Sequence, residues 1–583
     1  MTMTARRSRA RLVLIPTITA VLLLACAPST PAARPSAPSD VVAPTTPAQT
    51  GPTRVTFGIN TDLTNLAGKL DTVAVTTAGN VEFLANAPLV VVDPQGRPQP
   101  RLATQLPSRD QGTWVVNADS TMTTTWSIRP NAVWHDGAPV TSQDFIFALR
   151  VYTDPAMAIS DRDPERRMDR IDAVDDRTFT IYWKQAYPWA NQLTLRQLEP
   201  LPMHVLGALY DGGDPQAFQN AAFWTSTDYV GVGPYRVSQW TKGAEMVFRA
   251  FDNYFLGRPK IDEIVARVGN DPNAVVATVL SGAVDLTVGF ALGQQGAAVV
   301  KEKWQGTGEG AIVSTPTHTR YVNVQQDPTK AGLPALRDPR VRQALVLALD
   351  RAAIAEVVTA GAAGPADAMV SPIDPLFPRV QQTITRYPFD ATRAMALLQD
   401  AGWTKRGDTV VDSGGNAFQL DLRTTATTAD NVTQRNLMAS SYAALGIQTS
   451  QSDSRIGSAD QEFNANFTGL NAILTPIDVP KGLLSFVNDM CPRAANFWRG
   501  SNSGCWSNPD YERLIGTATT SLDDGARTDS LLQALKVMSD DVGIFTMSYN
   551  TENIPVRKGL FGPGPRWSAQ GGTTWNIHEW TWQ

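Results

Sequence analysis

Histidine and cysteine are scarce in this chain, with four and three residues in 583. His135, His204, His318 and His578 stand far apart, so neither an H-E-x-x-H helix nor a clustered imidazole metal site is written into the sequence. A G-x-S-x-G nucleophile turn and a phosphate-cradling glycine loop are also missing. These absences weigh against hydrolase and nucleotide-driven chemistry, and the chain is expected to be no enzyme and to need no cofactor or metal. Positive charge is not in excess either. Lys and Arg total 50 against 55 Asp and Glu, giving a net charge of -5 and a pI near 5.6, which argues against nucleic acid as a partner. Past the N-terminal region no run approaches eighteen uninterrupted apolar residues, so no membrane span is signalled there.

What is present starts with a basic end, Arg6, Arg7, Arg9 and Arg11, followed by a short apolar run broken by Pro16. That pattern reads as a signal peptide rather than a permanent span. It ends in Leu23-Leu24-Ala25-Cys26, which resembles the bacterial lipobox, so Cys26 is the expected lipidation site. Ordinary signal-peptidase cleavage with an incidental cysteine stays open beside it. Residues 27–53 are mostly Pro, Ala, Thr and Ser, too poor in large apolar groups to fold, and are expected to form an extended tether.

The remaining cysteines, Cys491 and Cys505, lie fourteen positions apart in a loop-like stretch. Outside the cytoplasm such a pair is expected to be a disulfide, stabilising by about 3 kcal/mol. A metal site is the rival, but it would need further ligands, and no histidine is near in sequence.

Strand and helix signals interleave along the rest, which points to an α/β architecture. Residues 54–60, 121–129, 177–183 and 418–423 alternate as strands. Thr141-Ser-Gln-Asp144 reads as a capping box opening a helix. Asp338-Pro339 starts a helix of apolar period 3 to 4 running through Val341, Leu345 and Ile354. Further helices are expected at 391–401, stopped by Gly402, and at 431–445, ended by Gly446.

Several blocks in order resemble the family 5 extracellular solute-binding proteins, the oligopeptide-, dipeptide- and nickel-binding group. They are Gly231-Val-Gly-Pro-Tyr235, Asp252-Asn-Tyr-Phe-Leu-Gly-Arg258, Leu280-Ser-Gly-Ala-Val-Asp285, Ile128 to Thr141, Arg340 to Arg351, and Ala394 to Trp403. The residues in them are mostly turn and core chemistry, specifying a fold rather than touching ligand.

The resemblance implies a two-lobed periplasmic-binding-protein fold with an extra inserted domain and a hinge of two crossing strands, near His318–Asn323 and Met547–Glu552. By block order, residues 54–90, 200–320 and 553–583 would form the first lobe, 91–199 the inserted domain and 321–552 the second lobe. It also implies a substrate-binding lipoprotein, acting as a monomer on the outer face of the cell membrane. Such a protein captures a small ligand, here expected to be an oligopeptide held by backbone pairing, and delivers it to an ABC permease and ATPase complex. An oligosaccharide or other non-peptide solute, or a non-transporting envelope scaffold, remain the alternatives. Fifteen tryptophans and few histidines lean toward sugar rather than nickel among non-peptide ligands. Candidate ligand contacts are Thr76, Thr77, Ala78 and Gly79, then His318, Arg320 and Tyr321 at the hinge. Asp478 would pair a free amine, and Trp498 and Trp506 flank the disulfide loop.

Overall fold

The alternating stretch near the start forms the strand Arg54–Ile59, with Val55, Phe57 and Ile59 turned into the core. This computed structural model describes residues 53–583, apart from 64, 67, 71–74, 158, 160–161, 270, 427, 456–459, 478, 480, 497, 567–571 and the side chains of 75–78 and 481. The signal peptide, Cys26, the tether and Asp478 therefore lie outside the described residues. Those described fall in a single unit, Gly51–Gln583.

Arg54–Ile59 belongs to a ten-stranded sheet that runs through most of the chain. At its centre two long strands, Gly310–Val324 and Ile544–Arg557, pair antiparallel along almost their whole length. The register slips between Pro316 and His318 and again between Arg320 and Tyr321. Each slip is a bulge that sharpens local twist. On one side the pair meets Leu286–Thr287, which is parallel to Arg54–Ile59, itself parallel to Glu263–Val268. On the other side it meets Leu470–Pro476, parallel to Gln419–Thr424, itself parallel to Gln448–Asp453.

The directions follow from these registers. The strands around Arg54–Ile59 run antiparallel to Ile544–Arg557 and so along Gly310–Val324, toward the second set. The second set runs antiparallel to Gly310–Val324, toward the first. The C-terminal ends of two parallel sets thus face one another across the middle of the crossing strands. The architecture is the α/β, two-lobed one.

A separate four-stranded antiparallel sheet, Trp114–Val116, Met122–Ser127, Thr178–Trp183 and Met168–Ala173, has its own apolar core. Period-2 patterning drives it. Trp126 and Trp183 point inward, and both indole N–H groups donate to the buried Thr124 hydroxyl at 3.2 and 3.0 Å.

Local chemistry places the helices. Thr141 and Asp144 close the expected capping box of helix Ser142–Thr153. Gly446, at φ 99°, ends helix Ala429–Leu445 in the left-handed region that favours glycine. The helix expected from Asp338 onward is instead two, Pro339–Leu347 and Arg351–Thr359, because the Asp350 side chain accepts from Ala353 N at 3.0 Å and caps a new start. The glycines of Gly231-Val-Gly-Pro-Tyr235 serve close approach rather than backbone freedom. A Cβ on Gly231 would sit 2.0 Å from Ala85 O, and one on Gly233 2.3 Å from Ala85 C, at the end of helix Val75–Ala85.

Candidate functional site

Where the strand ends face each other, the middle of the crossing pair is polar although buried. His318, Arg320, Asn550 and Glu552 share one face, since His318 sits opposite Asn550 and each of the others follows at a spacing of two. Arg320 is 4% exposed. It donates from Nη1 to Asn431 Oδ1 at 2.7 Å and from Nε to Asn550 Oδ1 at 3.3 Å, and Nη2 lies 3.7 Å from Asp430 Oδ2. Asp430 and Asn431 open helix Ala429–Leu445, which follows directly on the end of Gln419–Thr424. Glu552 pairs with the buried Arg566 and accepts from Gly289 N at 2.8 Å.

Gly289 and Phe290 lie just past the end of Leu286–Thr287, with φ 68° and 61°. Phenylalanine in the left-handed region costs on the order of 1 kcal/mol, the sort of strain a fixed site retains. The conformation sets the Phe290 ring edge-on to His318, centroids 4.7 Å apart. Burial, then the Arg566 and Arg320 charges, push the His318 imidazole down to about 3, so it is neutral at ordinary pH. Burial raises the Asp430 carboxyl, while Arg320 opposes that rise.

This is a rigid polar floor, not a catalytic constellation. His318 is 5% exposed, and its Nδ1 lies 3.0 Å from Thr317 Oγ1. The other histidines are each occupied elsewhere. His135 accepts from Gly231 N, His204 pairs with Asp136, and His578 lies against Arg101. Among the described residues the only His, Cys, Asp and Glu group tight enough for a metal is Asp327 with Cys491 and Cys505. Those two sulfurs are bonded to each other, Cα atoms 4.8 Å apart, which is the expected disulfide and leaves no thiolate to ligate.

Helix Ala429–Leu445 starts just past the C-terminal end of Gln419–Thr424, at one of the facing ends. Its first-turn N–H groups have no partner within the helix and carry the positive end of the helix dipole. Such an end suits a ligand rich in carbonyl or carboxylate oxygen.

Residues 97–482 match the family described as bacterial extracellular solute-binding proteins, family 5 Middle. The chain belongs to this family. It is a family of extracytoplasmic binding proteins, not of enzymes. A putative ABC transporter peptide-binding protein of Brucella ovis is 28% identical over 47% of this chain and 48% of its own. The chain thus spans about half the length of the curated relatives it matches. An oligopeptide-binding protein from Thermus thermophilus, solved with a pentapeptide, superposes with a TM-score of 0.75 at 21% identity, covering 91% of this chain and 96% of that one. NikZ from Campylobacter jejuni, solved with Ni(L-His), gives 0.74 at 18% identity, covering 91% and 99%. At these identities the likeness shows the fold alone.

In this family 5 protein the residues expected to touch ligand do not gather at one place. Thr76, Thr77, Ala78 and Gly79 fall in the first turns of helix Val75–Ala85. His318 and Arg320 lie on the polar face, but Tyr321 turns the other way, into the apolar core against Phe486 at 5.6 Å. Trp506 is also core, edge-on to Tyr511 and donating from Nε1 to Asp541 Oδ2 at 2.5 Å. Trp498 lies near Lys330 Nζ, 5.3 Å from its ring centroid. Asn550, Glu552, Arg566, Asp430 and Phe290 were not singled out from sequence. The mixed polar run Ser548-Tyr-Asn-Thr-Glu552, inside a strand whose ends carry Ile544, Phe545, Ile554 and Val556, was the available signal.

Proposed function

We propose that this protein captures an oligopeptide between its two lobes and hands it to the permease and ATPase of an ABC importer. In this reading it works as a monomer held by a lipid on Cys26 at the outer face of the membrane. The lobes are 54–90 with 200–320 and 553–583, and 321–552, with 91–199 inserted.

One observation carries the reading: the C-terminal ends of two parallel strand sets face each other across the crossing strands. Open α/β sheets bind ligand at such ends. Closure about the crossing pair would bury a ligand that contacts both sides, and the shift is limited by its differential affinity for the closed state. Peptide is favoured because helix starts and strand ends offer backbone N–H and C=O groups for added-strand pairing. The peptide-binding name of the Brucella relative points the same way. The sugar alternative loses support, because Trp126, Trp134, Trp183, Trp224, Trp506 and Trp580 are fully buried and cannot stack on a ligand. Nickel is disfavoured by a His318 that is sealed and already against Thr317.

Native mass spectrometry of freshly purified protein, followed by calorimetry with peptides, oligosaccharides and Ni(II)-histidine, tests the ligand class. Peptide binding with weak side-chain preference is expected. Binding of sugar or nickel complex without any response to peptide would sink the peptide reading. Asp478→Ala and N-acetylation of the peptide should each weaken binding, and the losses should not add if both remove one amine contact. Fatty-acid labelling should mark the wild type and not Cys26→Ala.

A further inference from the structure

Behind the helix Val75–Ala85 lies a second group of buried charges that ligand capture does not use. Lys69 comes from the turn Gly68–Leu70, Glu82 from the helix, Glu165 from the turn Glu165–Arg167, and Arg196 and Glu199 from one short segment. Arg196 grips Glu82 with two bonds, Nε to Oε2 at 2.9 Å and Nη2 to Oε1 at 2.6 Å. Lys69 Nζ pairs with Glu165 and also donates to Asp163 O at 2.9 Å. Leu198 N donates to the other Glu165 oxygen at 2.6 Å.

Both cations are therefore taken by Glu82 and Glu165, and Glu199 is the third carboxylate. It is 6% exposed, and its Oε1 has no hydrogen-bond partner among the described residues. The side chain borders a cavity of about 10 Å³ lined by Asn86, Tyr152, Trp224 and Tyr229, roughly the room of one water. Its other oxygen presses on Gly68, where a Cβ would lie only 2.6 Å away. Among the described residues the other ionisable groups facing it are accounted for. Tyr152 and Tyr229 are pushed up by burial and then by the Glu199 charge, and the Asp163 carboxylate is held by Arg166 and Arg167. The Arg196 backbone N–H and the shared cations offset only part of the cost of keeping such a carboxylate charged, because one oxygen is left without a partner.

We propose that Glu199 is held protonated at neutral pH and acts as a proton-operated lock, fastening Gly68–Leu70 and helix Val75–Ala85 to the segment 196–199. Burial, and then the Glu82 carboxylate, raise the Glu199 carboxyl from 4.5 to about 8, while Arg196 and Lys69 pull it back. The fastened segment is itself under strain, with Arg196 at φ 64° and Leu198 at φ 51°, so ionisation acts on backbone already poised to relax.

The sign is fixed by linkage. Between about pH 4.5 and about pH 8 the folded protein keeps a proton that the unfolded chain has lost, so stability falls as pH rises across that window and levels off above it. Unfolding equilibria of wild type and Glu199→Gln, measured from about pH 5 to about pH 9, test this. The variant is expected to gain on the wild type by about tenfold per pH unit up to about pH 8 and then run parallel to it. A constant difference over the whole range would overturn the proposal. Should Glu199→Gln fail to fold, the wild type alone decides. Infrared spectroscopy should show the carbonyl band of a buried neutral carboxylic acid near pH 7 that disappears above about pH 8. A spectrum without that band at neutral pH would refute the lock.

Discussion

Two buried charge groups in this protein look alike and behave differently. At the crossing strands Arg566 and Arg320 meet Glu552 and Asp430, cation for anion. Behind helix Val75–Ala85, Lys69 and Arg196 meet Glu82, Glu165 and Glu199, one anion too many. In a low-dielectric interior a balanced group can stay ionised throughout, whereas an unbalanced one settles its excess by taking up a proton. The group on the crossing pair is therefore electrostatically fixed, and the cluster behind helix Val75–Ala85 is open to pH.

The largest effect should come from unbalancing the balanced group. Glu552→Ala removes the carboxylate shared by Arg566 and Gly289 N, and should cost about 3–5 kcal/mol by chemical denaturation. Because arginine cannot shed its charge, that cost should be the same near pH 6 and near pH 9. A cost that varies with pH by more than about 1 kcal/mol would show that the group is not balanced as described.

A smaller loss is expected from Lys69→Met, of similar length and without the charge. Glu165 keeps the Leu198 N–H and can take up a proton, so about 2–3 kcal/mol is expected at pH 7. The loss should shrink as pH falls, since two carboxyls rather than one would then be neutralised. Denaturation curves at pH 5 and pH 7 check this, and an equal loss at both would remove the contrast with Glu552→Ala.

The sequence exposes each group only in part, for a physical reason. Caps, stops and alternation depend on residues a few positions apart, so the capping box at Thr141, the stop at Gly446 and the strand at 54–59 could all be read locally. The family blocks located the crossing strands as well. Alternation puts Arg320 on the face of His318 and Tyr321 on the other, but which face is polar was not legible, because it is set by a partner strand more than 200 residues away. Asn550 makes one face polar, while Phe486 takes Tyr321 into the core. The acid cluster was hidden more deeply. Lys69, Glu165 and Glu199 are separated by up to 130 positions, and each alone resembles an ordinary surface charge. Nor could counting tryptophans foretell that Trp126, Trp134, Trp183, Trp224, Trp506 and Trp580 would be sealed in cores.

The smallest effect at neutral pH, and the sharpest test of the comparison, belongs to His318→Gln. His318 is neutral and buried, so a neutral amide of similar size should cost only about 1 kcal/mol at pH 7. Its influence should appear on the acid side instead. The folded imidazole titrates near about 3 against 6.5 in the unfolded chain, so its contribution is complete above about pH 6.5 and is lost as pH falls toward about 3. His135, pushed down to about 4, and His578, down to about 3, act in the same direction. Near pH 5 these three sites each add about tenfold per pH unit to the loss of stability, and the variant should remove one of them. Glu199→Gln should change the profile with the opposite sign, since Glu199 favours the folded state more as pH falls. Unfolding midpoints of the two variants and the wild type, taken at half-unit steps from about pH 4 to about pH 9, separate the contributions. An acid limb left unchanged by His318→Gln would mean that the imidazole is solvated in the native protein, and the sealed floor between the strand ends would have to be abandoned.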